Sequence, residues 1–172
     1  MSKYARLMDS RIPPFLLAVF VPGCHSIELK DNIVSGPVYV PFRTAGDWEV
    51  YGVSGALDSR RFIRSQKVPQ NYPYPDYCYT GFGGVLLTMT VYGDYEAYDL
   101  ACPVEHSPSV LVAINRESNM AVCSKCGSVY DVFCLERGPG HPVSGVALER
   151  GYGLTTYRVL FNVDNCHALI SR

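Results

Sequence analysis

Glycine and proline punctuate this chain so densely that most of the runs between them have strand length. Fifteen Gly and 12 Pro fall within 172 residues; proline removes a backbone donor and glycine frees the backbone to turn. Between these breaks the residues are β-branched and aromatic. Val38 to Phe42 reads as a short edge strand bounded by prolines. Trp48 to Val53 alternates large apolar residues with others, as a half-buried strand does. Further strands are expected at Val85 to Tyr92, Glu96 to Leu100, Val110 to Ile114, Val129 to Phe133 and Leu154 to Val163. Asp58 to Ile63 reads as a short helical or irregular turn. Neither a helical heptad nor a fixed-period repeat is visible. The expected fold is all-β, an antiparallel sandwich or barrel, long enough as one domain to bury a sizeable core.

The N-terminal residues read differently. Lys3, Arg6 and Arg11 precede an apolar stretch from Ile12 to Val21, a pattern typical of an export signal. The following Val21-Pro22-Gly23-Cys24 resembles the lipobox of bacterial lipoproteins, whose cysteine is lipidated and becomes the mature N-terminus. Pro22 is unusual in that motif, and Pro13-Pro14 would break a helical hydrophobic region early. The alternative is a buried N-terminal strand with an incidental cysteine. On the lipoprotein reading, residues 1–23 are a signal peptide, 24–34 a linker and 35–172 the β domain. Lipid on Cys24 then tethers the domain in the bacterial cell envelope, periplasmic or surface-facing. Unprotected thiols tend to pair there. Arg6 and Arg11 are not adjacent, so export of an already folded domain is not indicated and any metal would be acquired outside. The sequence has no run of eighteen uncharged apolar residues to span a membrane. A net charge of −1 argues against nucleic acid as a partner.

From Val68 to Gly84 three prolines exclude a regular central strand, and Tyr72, Tyr74, Tyr77 and Tyr79 crowd together. Such a loop offers an aromatic surface for a glycan, a peptide or a protein partner. The plainer reading, a proline-stiffened loop laid over the core, is preferred.

The sharpest chemical signal is Cys102-Pro-Val-Glu-His106, then 16 residues, then Cys123-Ser-Lys-Cys126-Gly-Ser-Val-Tyr-Asp131. Cys-x-x-Cys lets two thiolates from one tight turn face the same ion, and Gly127 relieves crowding behind them. Cys102 and His106 complete a candidate set of four. Three thiolates and an imidazole suit tetrahedral zinc, in the manner of a zinc ribbon, and they also suit a 2Fe–2S cluster. A metal-free disulfide among Cys102, Cys123 and Cys126, or free buried thiols, are the alternatives. A thioredoxin-like pair would need a βαβ context, which is not visible.

The stretch from Glu96 to Val159 resembles the Rieske ferredoxin domain. That family has a Cys-x-His turn, then a Cys-x-x-His turn followed by glycine, a Gly-Pro turn and a Leu-x-x-Tyr-x-Val strand. The counterparts here are Cys102-Pro103, Cys123 to Asp131, Gly138-Pro139-Gly140 and Leu154 to Val159. The resemblance extends to Rieske-like lipoproteins of Bacteroides-type bacteria. It implies a Rieske-like fold and carries Cys102 and Cys123 over as ligands. Val104 stands where the first histidine belongs and Cys126 where the second does, so the chain does not supply the two imidazoles of a true Rieske centre in register. His106 and Cys126 are assigned from spacing alone, and Glu105 is another possible oxygen donor. Two functions follow. One is iron–sulfur electron transfer with a redox partner. The other is a non-redox binding or scaffold lipoprotein in which zinc or a disulfide staples the loops. The remaining residues carry weaker signals. His25 and His167 read as surface, and His141 as a loop histidine. Cys78, Cys134 and Cys166 have no ligand spacing but leave room for one disulfide. No Gly-x-Ser-x-Gly, phosphate loop or His-Glu-x-x-His is present.

Overall fold

A computed structural model describes residues 29–34, 36–162 and 167–172. Met1 to Glu28, and with them the export signal, Cys24 and His25, lie outside the described residues, as does Cys166.

The chain is all-β, with two short helices among the described residues. The larger of two sheets has seven strands: β1 (Val38–Phe42), β2 (Ser59–Phe62), β3 (Tyr79–Thr80), β4 (Val85–Met89), β5 (Tyr95–Asp99), β10 (Thr156–Asn162) and β11 (His167–Ser171). They run in the order β2-β4-β5-β10-β11-β1-β3, each pair antiparallel. The sheet curls until its two edges approach. Past the end of β2, the Arg64 guanidinium donates to the Cys78 carbonyl at 2.9 Å, and its backbone N–H reaches Thr80 Oγ1 on β3 at 3.5 Å. The enclosed core is rich in aromatic edges: Phe42 meets Phe62 at 5.6 Å and Tyr72 at 6.0 Å, all three buried.

The second sheet is a four-stranded meander, β6 (Val112–Asn115), β7 (Met120–Cys123), β8 (Val129–Asp131) and β9 (His141–Ser144). It packs over a second apolar cluster that joins Leu86, Tyr98 and Leu100 to Val112, Ala121, Tyr130 and Phe133. Residues before β1 also lie against the domain. Lys30 bridges Tyr152, Thr155 donates to Asp31 at 2.6 Å, and Asn32 Nδ2 donates to the Pro103 carbonyl at 2.9 Å.

Three sequence expectations change. Residues 48–53 are not a strand: Ala45–Tyr51 is helix α1. Thr44 caps it by accepting from the Asp47 N–H at 3.0 Å, while the Asp47 carboxylate accepts from the Arg43 N–H at 2.9 Å. Trp48 and Tyr51 then share one face, on Phe42 and Tyr72 respectively. Residues 58–63 are not a helical turn: Ser59–Phe62 is β2, and Phe62 points into the core opposite Val85. Val38–Phe42 is not at the edge, because β3 pairs beyond it. That pairing stops at Tyr39, and the Pro41 carbonyl accepts the Tyr72 hydroxyl at 2.6 Å. The missing Pro41 N–H thus falls where β3 has already ended.

The tyrosine-rich loop divides. Tyr72 is buried core and Tyr74 packs against it, with its hydroxyl on the Val68 carbonyl. Tyr77 and Tyr79 remain exposed.

Candidate metal centre

The two cysteine loops sit at matching ends of their strands, and a buried carboxylate flanks each. Asp99, the last residue of β5, accepts from the N–H groups of Phe82, Gly83 and Ala101 at 2.8, 3.0 and 2.7 Å, and from the Tyr157 hydroxyl at 2.5 Å. It therefore sets the path of the chain one residue before Cys102. Downstream of the second loop, Asp131 accepts from the N–H groups of Phe133, Leu135, Glu136, Arg137 and Gly138 at 2.8 to 3.2 Å. Burial pushes its pKa up, but these donors outweigh burial and hold it below the ordinary carboxylate range.

The first loop is a tight turn. The Cys102 carbonyl accepts from the N–H groups of Glu105 and His106 at 3.2 and 3.1 Å, while the Cys102 N–H is held by the Val110 carbonyl at 2.9 Å. The second loop is a knuckle closed by Gly127 N–H to Cys123 O at 2.9 Å and Cys123 N–H to Ser128 O at 3.0 Å. Gly127 is left-handed there, at φ 69°. An ion pair between Lys125 and Glu105 ties the two loops together.

This arrangement brings the sulfurs of Cys102, Cys123 and Cys126 within 4.8 Å of one another. Cys102 and Cys123 are buried and Cys126 is half-buried. The Cys102 and Cys126 sulfurs are 3.6 Å apart. Two thiolates on one tetrahedral ion, with metal–sulfur bonds of about 2.3 Å, sit about 3.8 Å apart, so the pocket fits a single thiophilic ion. His106 is exposed and its ring nitrogens are not part of the converging group; the turn leaves its backbone left-handed, at φ 51°. Glu105 is engaged by Lys125 rather than facing the sulfurs as a donor. His141 opens β9 opposite Asp131, and the side chain of His167 lies outside the described residues.

Two further residues touch the sulfurs, and the sequence reading gave them no role. The Tyr130 hydroxyl lies 3.5 Å from Cys102 Sγ and Ser128 Oγ lies 3.2 Å from Cys126 Sγ. Both belong to the run Cys-Gly-Ser-Val-Tyr, so proximity to the second cysteine turn was the available signal. They make the thiols unequal. Burial pushes Cys102 up to about 12, with the Tyr130 hydroxyl opposing. For Cys126 burial also raises the pKa, but contacts with the Ser128 side chain and backbone outweigh it and leave the thiol below its ordinary value. Cys78 and Cys134 are free thiols outside the cluster.

No family model matches the chain, and no curated protein does. Among solved structures it is similar to a protein assigned as the NADH-dependent nitrite reductase small subunit of Mycobacterium tuberculosis, at 10% identity and a TM-score of 0.37, over 80% of this chain and 96% of that one.

Proposed function

We propose that this chain is a Rieske-like domain whose two loops hold a metal at Cys102, Cys123 and Cys126 and pass electrons when that metal is iron. The observation that carries the reading is the convergence of three sulfurs within 4.8 Å on a loop pair whose sequence order resembles that family. Thiolates bind iron as they bind zinc, and the Tyr130 hydroxyl beside Cys102 Sγ offers a hydrogen bond of the kind that tunes such a centre. Lipid on Cys24 would hold the domain in the bacterial envelope beside a membrane-bound or periplasmic redox partner.

The sulfur spacing also favours a second reading. Three thiolates around one ion, with an exogenous fourth ligand, suit zinc. The centre then staples the loops, and the protein is a binding scaffold that meets a protein or glycan through exposed Tyr77 and Tyr79.

Protein purified from its native compartment separates the two. A brown protein with visible charge-transfer bands supports electron transfer. A colourless protein with one zinc ends that version, and a colourless, metal-free protein with oxidised thiols ends both. For the anchor, Cys24→Ala releases the protein from membranes; unchanged membrane association refutes the lipid tether.

A further inference from the structure

The sequence contains an arginine pair, Arg60-Arg61, that neither the export signal nor the metal centre uses. It lies on β2, and the fold sets it against a third arginine. Arg60, Arg61 and Arg116 line one cleft of 640 Å³ where the edge of the seven-stranded sheet meets the turn between β6 and β7. Ligand sites typically occupy about 300–1,000 Å³. The apolar part of the lining includes Leu86, Pro69 and Ile114.

The charges in this cleft are not balanced from within. Asp58 takes the Arg60 guanidinium at 2.8 Å. No described residue hydrogen-bonds or ion-pairs with the side chain of Arg61 or Arg116. Glu117, the acid next to Arg116, is exposed and does not line the cleft. The chain as a whole has 15 basic and 16 acidic residues, so this gathering does not reflect a generally basic surface. Like charges facing one cleft repel, and an anion between them relieves the repulsion. Guanidinium is the side chain whose planar fork best matches phosphate oxygens, and two of them together favour a dianion over a monoanion.

We propose that this cleft binds a small organic phosphate. Arg61 and Arg116 hold the phosphoryl oxygens, Arg60 stays paired with Asp58 at the rim, and the apolar body rests on Leu86, Pro69 and Ile114. The site is independent of the metal centre and of what it holds.

Phenyl phosphate is a suitable probe, titrated into the full-length, isotope-labelled protein and followed by backbone amide shifts. The expected result is saturable shifts confined to β2 and to residues 113–119. Arg61→Gln combined with Arg116→Gln is expected to weaken binding by about tenfold or more. Both residues are exposed, so the fold should survive, and unchanged amide shifts away from the cleft would verify it. Shifts scattered over the whole surface, or equal affinity in the double variant, would overturn the site. Inorganic phosphate should bind more weakly than the ester; equal affinity would overturn the apolar subsite. Vesicles containing phosphatidic acid identify the source. Arginine-dependent sedimentation indicates a lipid headgroup, and ester binding without it indicates a soluble ligand; either outcome supports a phosphate site.

Discussion

Cys78 and Cys102 are equally buried, at 0% exposure, yet they sit in different chemistry. Burial pushes both thiols up, Cys78 to about 11 and Cys102 to about 12. Cys78 lies in the barrel core among Phe62, Tyr72 and Val85, where a thiol is simply a small apolar filler. Cys102 lies in the cluster beneath the smaller sheet, where two more sulfurs and a tyrosine hydroxyl converge on it. Burial alone therefore does not make a site. The barrel is held by aromatic edges around Phe42 and Tyr72, whereas the cysteine loops are held by polar staples: Asp99 before the first, Asp131 after the second, and the Lys125–Glu105 pair between them.

The largest expected effect tests that contrast directly. Cys102→Ser, Cys123→Ser or Cys126→Ser should each abolish stoichiometric metal binding, measured by elemental analysis of the purified protein. Cys78→Ala should retain the full metal content and cost about 1–2 kcal/mol in denaturant unfolding, as expected for a small truncation in a packed core. Metal loss on Cys78→Ala would break the comparison.

The next effect concerns the staples. Asp131→Asn removes the charge from a group that gathers five backbone donors, and should destabilise the protein by about 3 kcal/mol. The sign with pH follows from the depressed native pKa. The carboxylate contributes stability above its unfolded value, near 3.8, and loses it as pH falls through the lower folded value. Thermal midpoints between about pH 5 and pH 2 should fall more steeply for the natural protein than for Asp131→Asn. Parallel slopes would remove Asp131 as a pH-dependent staple.

A smaller effect is expected at Tyr130. Tyr130→Phe keeps the ring in the core and removes only the hydroxyl near Cys102 Sγ. Metal content should be unchanged. With iron bound, the reduction potential should fall, because a hydrogen bond that stabilises the electron-rich sulfur is lost. An unchanged potential would mean that the hydroxyl serves packing alone.

These contrasts track what could be read from the chain. Strands β1, β4, β5, β6, β8 and β10 were legible because runs rich in β-branched and aromatic residues lie there between turns. Helix α1 was not, because Trp48, Val50 and Tyr51 fit a strand period as well as a helical face. The deciding signal was the Thr44–Asp47 cap just before them. In β2 the two arginines hid a strand whose inward residue is Phe62. The short strands β7 and β9 depend on partners across the meander rather than on their own composition. At the site, the convergence of Cys123 and Cys126 follows from local turn chemistry and was readable. Asp99 and Asp131 were not, because all but one of their partners, the Tyr157 hydroxyl, are backbone N–H groups, which leave no mark in side-chain spacing.

The smallest predicted effect falls on His106, where local spacing and tertiary geometry diverge most. It follows Cys102 by four positions, close enough along the chain to suggest a shared ion. The turn, however, closes on the Cys102 carbonyl through the N–H groups of Glu105 and His106, and this sends the imidazole to the exposed side. Rotation of the side chain alone must then bring it to the sulfurs, against a left-handed backbone at φ 51° that fixes its direction. His106→Ala should therefore leave metal stoichiometry unchanged and alter affinity by less than about tenfold, measured by competition with a chelator. Replacement by glycine should tighten the loop slightly, because glycine adopts the left-handed backbone without strain. Loss of the metal in both variants would instead make the imidazole the fourth ligand and require the first loop to rearrange on binding.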